Sequence, residues 1–411
     1  MLVVYVSIYI GLFGLFFYIF SFLEDMKKKK PLYTDKELPK VSVIIAAYNE
    51  GKTIANTLES ILKSDYPKNK LEVIVVNDGS QDETLKEAKK FEKRGVRIFS
   101  QKNMGKGAAL NKGIKNCTGE IVFTLDADTY ADSVSLKNMT RYFKDEKVFS
   151  VTPAMAVHKV KTIAQRIQHI EYLLGLFLRK AFASLNAVHI TPGAFSAYRK
   201  SFFDKYGGYD VGNITEDLEM ALRIQYHGYK IENSPESPVY TIVPSNFRDL
   251  MKQRRRWYYG LMTNVWNKKY RKMFGFKYGD LGAFVLPLAW ISIFFAIFLT
   301  VYLVFKLLFD VASEIQFLYS SGWYIPNLLE FNSLFFERLA FNIFSSAPVI
   351  FILFFIFAAG FYLIYATKKL EKHSSLLINV PIFFVSFAIL FAFWWIVSIG
   401  YLISGRKVRW K

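Results

Sequence analysis

Three hydrophobic patterns succeed one another along this chain. The first is the continuous apolar run. Leu2 to Leu23 carries no charge over 22 positions, and further runs cover Leu281 to Phe309, Phe341 to Ala366 and Leu376 to Ser404. About 20 apolar residues wound as a helix cross a hydrocarbon core of about 30 Å, so each run can span a bilayer. The second pattern is the short apolar block, as in Val41-Ser42-Val43-Ile44-Ile45-Ala46-Ala47, Leu71 to Val76, Val96 to Phe99, Ile121 to Leu125 and Val148 to Val151. Blocks of this length read as buried strands. The third is helical periodicity between the blocks, over Thr53 to Lys63, Gly107 to Asn116 and Ser133 to Phe143. Strands alternating with helices of about ten residues predict an α/β domain with a parallel sheet covered on both faces.

Beyond that domain the periodicity continues. Ile163 to Ala183 is helical in period and mixes basic with apolar positions, which suits either the membrane interface or the domain surface. A turn at Thr191-Pro192-Gly193-Ala194-Phe195 leads into a strand ending at Tyr198-Arg199. Thr215-Glu216-Asp217 then heads an amphipathic helix, which Thr215 is suited to cap. A further helix runs from about Phe247 to Asn267 and places Gln253, Arg256 and Trp257 on one face. The resulting division is an anchor over residues 1–30, an α/β domain over 40–245, amphipathic interface helices over 246–280 and a membrane region over 281–405.

Charge orients these pieces. Lys27 to Lys30 follow the first apolar run, and the basic stretch Lys268, Lys269, Arg271, Lys272 and Lys277 precedes the second. Basic residues flank the cytosolic ends of spans, which puts the α/β domain in the cytosol of a multi-pass cell-membrane protein. A cleaved signal peptide has its basic residues before the apolar run, the reverse of the order here. The segment Asp310 to Arg338 suits the outer face. Three crossings after the domain would leave the basic tail from Arg406 to Lys411 outside, against the rule, so one late run is a candidate re-entrant segment. The net charge of +19 sits beside spans and not on a soluble face, which argues against nucleic acid. One cysteine, Cys117, excludes an internal disulfide, and the five histidines have no zinc spacing. A homo-oligomer is compatible with the sequence but not specified by it.

Candidate chemistry gathers at strand ends. The block Ile121 to Leu125 runs into Asp126-Ala127-Asp128, two carboxylates one residue apart where open α/β sheets bind ligands. Hard oxygen donors there suit Mg²⁺ or Mn²⁺ with a phosphorylated substrate, although Asp-x-Asp is also a common turn. Tyr48-Asn49-Glu50 follows the first strand and Asn77-Asp78-Gly79-Ser80 the second, placing Asp78 where it could accept from a base or ribose, or merely form a turn. Lys106, flanked by Gly105 and Gly107 at a helix start, is either a diphosphate contact or a solvated lysine. Ala46 stands where a phosphate-binding loop needs glycine, and no strand is followed by G-x-G-x-x-G, so ATPase and dinucleotide redox chemistry are unsupported.

Taken in order, Asp78, Asp126-Ala127-Asp128, Thr215-Glu216-Asp217 and Gln253-Arg254-Arg255-Arg256-Trp257 resemble the processive members of glycosyltransferase family 2. Those include cellulose, chitin, hyaluronan and poly-N-acetylglucosamine synthases. The resemblance covers about residues 41 to 260 and implies an α/β GT-A fold, a UDP-sugar donor such as UDP-N-acetylglucosamine, and inversion at the anomeric carbon. It assigns Ala47, Tyr48, Glu50, Asp78, Lys106, Asp126 and Asp128 to the donor, with Asp128 the ligand of Mg²⁺ or Mn²⁺. Asp217 becomes the general base, while Gly193, Glu216, Gln253, Arg256 and Trp257 serve the acceptor and pyrophosphate. The acceptor would be a growing polysaccharide, or a membrane lipid if the enzyme transfers once. The four candidate spans are fewer than cellulose or hyaluronan synthases have.

Overall fold

A computed structural model describes residues 2–27, 31–320, 347–369 and 376–406, with isolated positions at 322, 337, 341 and 408. Its centre is one eight-stranded sheet. The strands are β1 (Val41–Ala47), β2 (Leu71–Asn77), β3 (Val96–Ser100), β4 (Ile121–Asp126), β5 (Thr129–Ala131), β6 (Val148–Val157), β7 (Phe195–Arg199) and β8 (Lys230–Thr241), in the order β3-β2-β1-β4-β7-β6-β8-β5. The expected parallel sheet holds for β3, β2, β1 and β4. Beyond β4 the expectation needs correcting, because β7 runs antiparallel to both β4 and β6, and β5 antiparallel to β8. The sheet is mixed.

Alternation along β1 explains the layers. Val41, Val43, Ile45 and Ala47 point to one face, where they pack with Ile54, Leu58 and Ile61 of α2 (Ile54–Leu62). Ile44 points to the other and joins Ala109, Leu110 and Ile114 of α4 (Lys106–Asn116), α3 being the short helix Thr84–Lys89. At that crossing Gly113 has no alternative, since a Cβ would lie 2.2 Å from Ile44 Cγ2. The helix expected over 133–143 forms as α5 (Ser135–Arg141) followed by a 3₁₀ turn, and α7 (Lys200–Tyr206) follows β7.

The helix expected over 163–183 is α6 (Ile163–Ser184), which starts at a capping box between Thr162 and Gln165. It lies between the sheet and the apolar helices. Ile167, Ile170 and Leu173 share a core with Ala154 and Ala156 of β6 and with Leu363, Ala366 and Phe383. Lys180 pairs with Asp25 of α1 (Leu2–Lys27) at 3.0 Å. After α8 (Glu216–Tyr226) comes α9 (Phe247–Val265), capped by Asn246, whose side chain accepts from Asp249 N at 2.9 Å. Thr215 does not cap α8 as expected. Its hydroxyl accepts from Asn264 Nδ2 of α9 at 2.9 Å instead, and that bond is available because a Cβ on Gly260 would sit 2.3 Å from the same hydroxyl.

The apolar runs fold as α10 (Leu286–Ser320), α11 (Ala347–Lys369) and α12 (Leu376–Ile403). Among the described residues, Tyr5–Asp25 and Leu281–Ser320 are long and apolar enough to cross a membrane. Ile378–Phe384 with Ile389–Ile403 make a third such unit if their 44° bend is one broken span. These apolar helices fit a membrane protein. The bend falls beside Pro381 and where Ser386 Oγ bonds back to the Ile382 carbonyl, both of which distort a helix. The apolar run read as ending at Phe309 continues as helix to Ser320, into the segment expected on the outer face. Residues 323–336, 342–346 and 409–411 lie outside the described residues, and with them most of the segment expected on the outer face, the start of the third run and most of the tail.

Candidate active site

The mixed sheet decides where the site lies. Register pairs Ala47 with Asn77 and Ala46 with Asp126, so the ends of β1, β2 and β4 deliver Tyr48 to Glu50, Asp78 and Asp126 to Asp128 onto one edge. Because β7 is antiparallel to β4, its beginning lies on that same edge, and Asp126 N bonds the Ala194 carbonyl at 3.0 Å. That places the Gly193 turn against the first carboxylate pair. Ala47 is buried and its carbonyl receives Asp78 N at 2.9 Å, while Tyr48 is exposed at the rim. Asn49, with φ +55°, accepts from Gln81 N at 2.9 Å and ties the turn after β1 to the turn after β2.

Asp78 is buried, and its carboxylate accepts from Gln101 Nε2 at 2.8 Å, Met104 N at 3.0 Å and Gly105 N at 2.8 Å. In this arrangement it shapes the start of α4, and so the position of Lys106. Lys106 is not a solvated lysine. Its Nζ lies 2.5 Å from Asp126 Oδ1 and 3.7 Å from Glu216 Oε1, and donates to the Gly193 carbonyl at 3.0 Å. Burial opposes the charge on this lysine. Asp126, Glu216 and Asp217 outweigh burial and hold the ammonium above its usual pKa.

Asp217 follows Glu216 in the first turn of α8. Its Oδ2 accepts from Gly193 N at 2.9 Å and its Oδ1 from Leu218 N at 2.8 Å, so two backbone donors fix the carboxylate. Asp217 is half-buried and Glu216 buried. Burial pushes the Glu216 carboxyl up to about 7, with Asp217 adding to the shift and Lys106 and Arg256 opposing it. Burial likewise pushes Asp128 up to about 7, reinforced by Asp126 and Glu50. Arg256 is held below its usual pKa by burial, with Glu216, Asp217 and Asp126 opposing. Among the described residues no group of three His, Cys, Asp or Glu side chains is placed to hold a metal.

Residues 42–207 match the family described as "Glycosyl transferase family 2". This stretch is a family 2 glycosyltransferase domain. Over 262 residues the chain is 34% identical to the poly-beta-1,6-N-acetyl-D-glucosamine synthase of Staphylococcus aureus strain COL, covering 62% of this chain and 63% of that protein. The protein of the same name from Staphylococcus epidermidis is 33% identical over 236 residues, 55% of this chain and 57% of its own. The chain therefore matches about three fifths of the length of these curated relatives. In fold it resembles the mannosyltransferase PcManGT from Pyrobaculum calidifontis, solved in complex with GDP-Man and Mn2+, with TM-score 0.57, 22% identity, and cover of 90% of this chain and 99% of that one. The glycosyltransferase domain thus has the expected GT-A architecture.

Within this site, sequence reasoning named both carboxylate clusters and Lys106, but not that this lysine joins the two clusters, since it is 20 positions from Asp126 and 110 from Glu216. It also missed Tyr130 on β5, whose phenol is pushed up by burial and by Asp128 and Glu50, and whose ring lies 4.6 Å from that of His158. On α9 the expected face of Gln253, Arg256 and Trp257 is half-buried. Arg254, between them and assigned no role, is the buried one, bonded to Glu171.

Proposed function

We propose that this chain is a membrane-embedded inverting N-acetylglucosaminyltransferase that extends a polysaccharide from UDP-N-acetylglucosamine, with its glycosyltransferase domain in the cytosol. The observation that carries this reading is the Lys106 junction, where one cation touches the carboxylate cluster of the donor side and the cluster containing the base. The relatives named above supply the substrate class. Asp217 is the base: it is oriented by two N–H donors and half-buried, whereas Glu216 is closed off. A general base must reach the acceptor hydroxyl, and it contributes about 10²–10⁴ in rate. Trp257 offers the acceptor sugar an apolar face, and Arg256 and Lys106 supply positive charge to the departing diphosphate.

The donor set also suits a divalent cation. Asp126 and Asp128 give two hard oxygens, and burial together with the neighbouring Asp126 and Glu50 carboxylates disfavours the bare Asp128 charge that such a cation would neutralise. Among the described residues no third carboxylate, histidine or cysteine completes a metal cluster, so Asp126 and Asp128 are the residues that would hold the ion. When bound, the ion would neutralise charge on the leaving UDP, so no second carboxylic acid is needed to protonate it. Asp78 holds the loop from which Lys106 projects.

Purified protein should be incubated in detergent or membranes with a panel of labelled UDP-sugars, with and without excess chelator. The reading expects N-acetylglucosamine to be incorporated and chelation to stop it. Turnover of a different sugar alone, or full transfer in chelator, would overturn it.

A further inference from the structure

Helix α9 is fastened on opposite sides. Towards the catalytic turn, Asn264 bonds Thr215 and exchanges hydrogen bonds with Asn213 at 2.8 and 3.1 Å. Towards α12, Tyr258 stacks on Trp395 at 4.7 Å, and Arg255 donates to the Tyr401 hydroxyl at 2.8 Å. Between these sides lies Arg254, 1% exposed, whose guanidinium makes two parallel bonds to Glu171 of α6 at 2.9 and 2.7 Å. The same guanidinium carbon is 4.3 Å from the Trp257 ring and 5.4 Å from that of Trp394, which is itself buried on α12.

We infer that Glu171 is a positioning residue for acceptor binding: through Arg254 it sets the plane on which the Trp257 indole rests. A bidentate carboxylate fixes a planar guanidinium in orientation as well as position, and an aromatic ring is drawn to the face of a desolvated cation. Trp394 backs the cation from the membrane side. Trp257 is thereby seated by an ion pair whose two members come from helices 83 residues apart in sequence. Stability alone does not account for such a pair, because an ion pair with one buried and one half-buried partner is often no better than apolar residues of the same volume. Docking of α9 on α12 does not account for it either, since Arg255 and Tyr258 make that contact independently.

This inference rests on the reading of Trp257 as an acceptor platform, and its test separates the two. Removing one partner would leave a buried charge unpaired, so the decisive variant is the neutral double substitution Glu171→Gln with Arg254→Gln. It is compared with Arg255→Gln and wild type in the full-length protein. The readouts are UDP release without acceptor, apparent KM for an N-acetylglucosamine oligosaccharide, and product length. The double variant should raise the acceptor KM about tenfold and shorten the product, as loss of a desolvated cation–π contact implies, while UDP release stays within twofold. Arg255→Gln should keep wild-type product length. Unchanged product length in the double variant, or UDP release falling in step with acceptor affinity, overturns the inference. If the double variant does not fold, Arg254→Lys, which keeps the charge but loses the fork, should shorten the product, and wild-type length there overturns it equally. A wild type that adds a single sugar refutes the polymer reading, and the same KM comparison on that acceptor still decides the role of Glu171.

Discussion

Gly193 offers a sharp perturbation because its missing side chain is where the two halves of the site meet. A Cβ there would lie 2.7 Å from Asp217 Oδ2 and 3.1 Å from Lys106 Nζ. Its backbone is not in the left-handed region, so alanine is excluded by neighbours and not by conformation. Lys106 Nζ ends a flexible chain and can give way. Asp217 cannot move freely, because Gly193 N and Leu218 N both hold it. Its Oδ2 must retreat by about 0.7 Å to reach ordinary van der Waals distance, which lengthens the 2.9 Å bond from Gly193 N. A displacement approaching 1 Å at a catalytic group costs up to about 100-fold, so Gly193→Ala should lose about 10- to 100-fold in transfer, or about 1.4–2.7 kcal/mol of barrier. The assay is initial-rate transfer of labelled sugar, with UDP affinity by calorimetry and melting temperature alongside. UDP affinity should fall less than transfer, and the melting temperature should barely move. Wild-type transfer by Gly193→Ala, or a loss of UDP affinity larger than the loss of transfer, would refute the placement of Asp217.

Four further outcomes follow. Asp217→Asn should keep UDP affinity and lose about 10²–10⁴ in transfer, and collapse of nucleotide binding would make Asp217 a structural residue. Trp257→Ala should lose about 1–3 kcal/mol of sugar burial, giving shorter chains while UDP release continues, which sizing gels would show. The folded protein holds the Glu216 proton up to about pH 7 against an ordinary carboxyl value of 4.5, so its share of stability is full below 4.5 and is lost as pH rises through 7. Melting curves of Glu216→Gln should therefore gain on wild type as pH rises across that window. Cys117 is buried and its thiol pushed up to about 11 by burial, so it should resist labelling in the folded protein, whereas a cysteine at exposed Lys93 should react from the cytosolic side.

What could be read from the sequence, and what could not, follows from where each signal resides. The strands β1, β2 and β4 announce themselves because both faces are largely buried, giving short runs rich in Val, Ile and other apolar residues. The strand β8 escaped notice because Lys-Ile-Glu-Asn-Ser-Pro-Glu-Ser-Pro-Val-Tyr-Thr carries two prolines and few β-formers. It is held instead by pairing with β6 across two register shifts, and by Asn233 donating to Thr152 and Pro153. The direction of β7 is a tertiary property with no local signature, yet it brings Gly193 to Asp126. Similarly, the Asp-Ala-Asp and Thr-Glu-Asp clusters are visible as motifs, whereas their union through Lys106 depends on the loop that Asp78 anchors. The face of α9 that carries Gln253, Arg256 and Trp257 was legible from their spacing, but the burial of Arg254 beside it was not, because that is set by Glu171 on another helix.

If one inverting site adds sugars repeatedly to the same chain, the product itself records it. The measurement that tests it most directly is the length and anomeric configuration of the product made by purified protein from labelled UDP-N-acetylglucosamine, read by size fractionation and NMR. A β-linked polymer is expected, because inversion of an α-linked donor gives a β bond and a Trp257 that holds the product would present it as the next acceptor. An α-linked product, or a single sugar on a lipid, would contradict it.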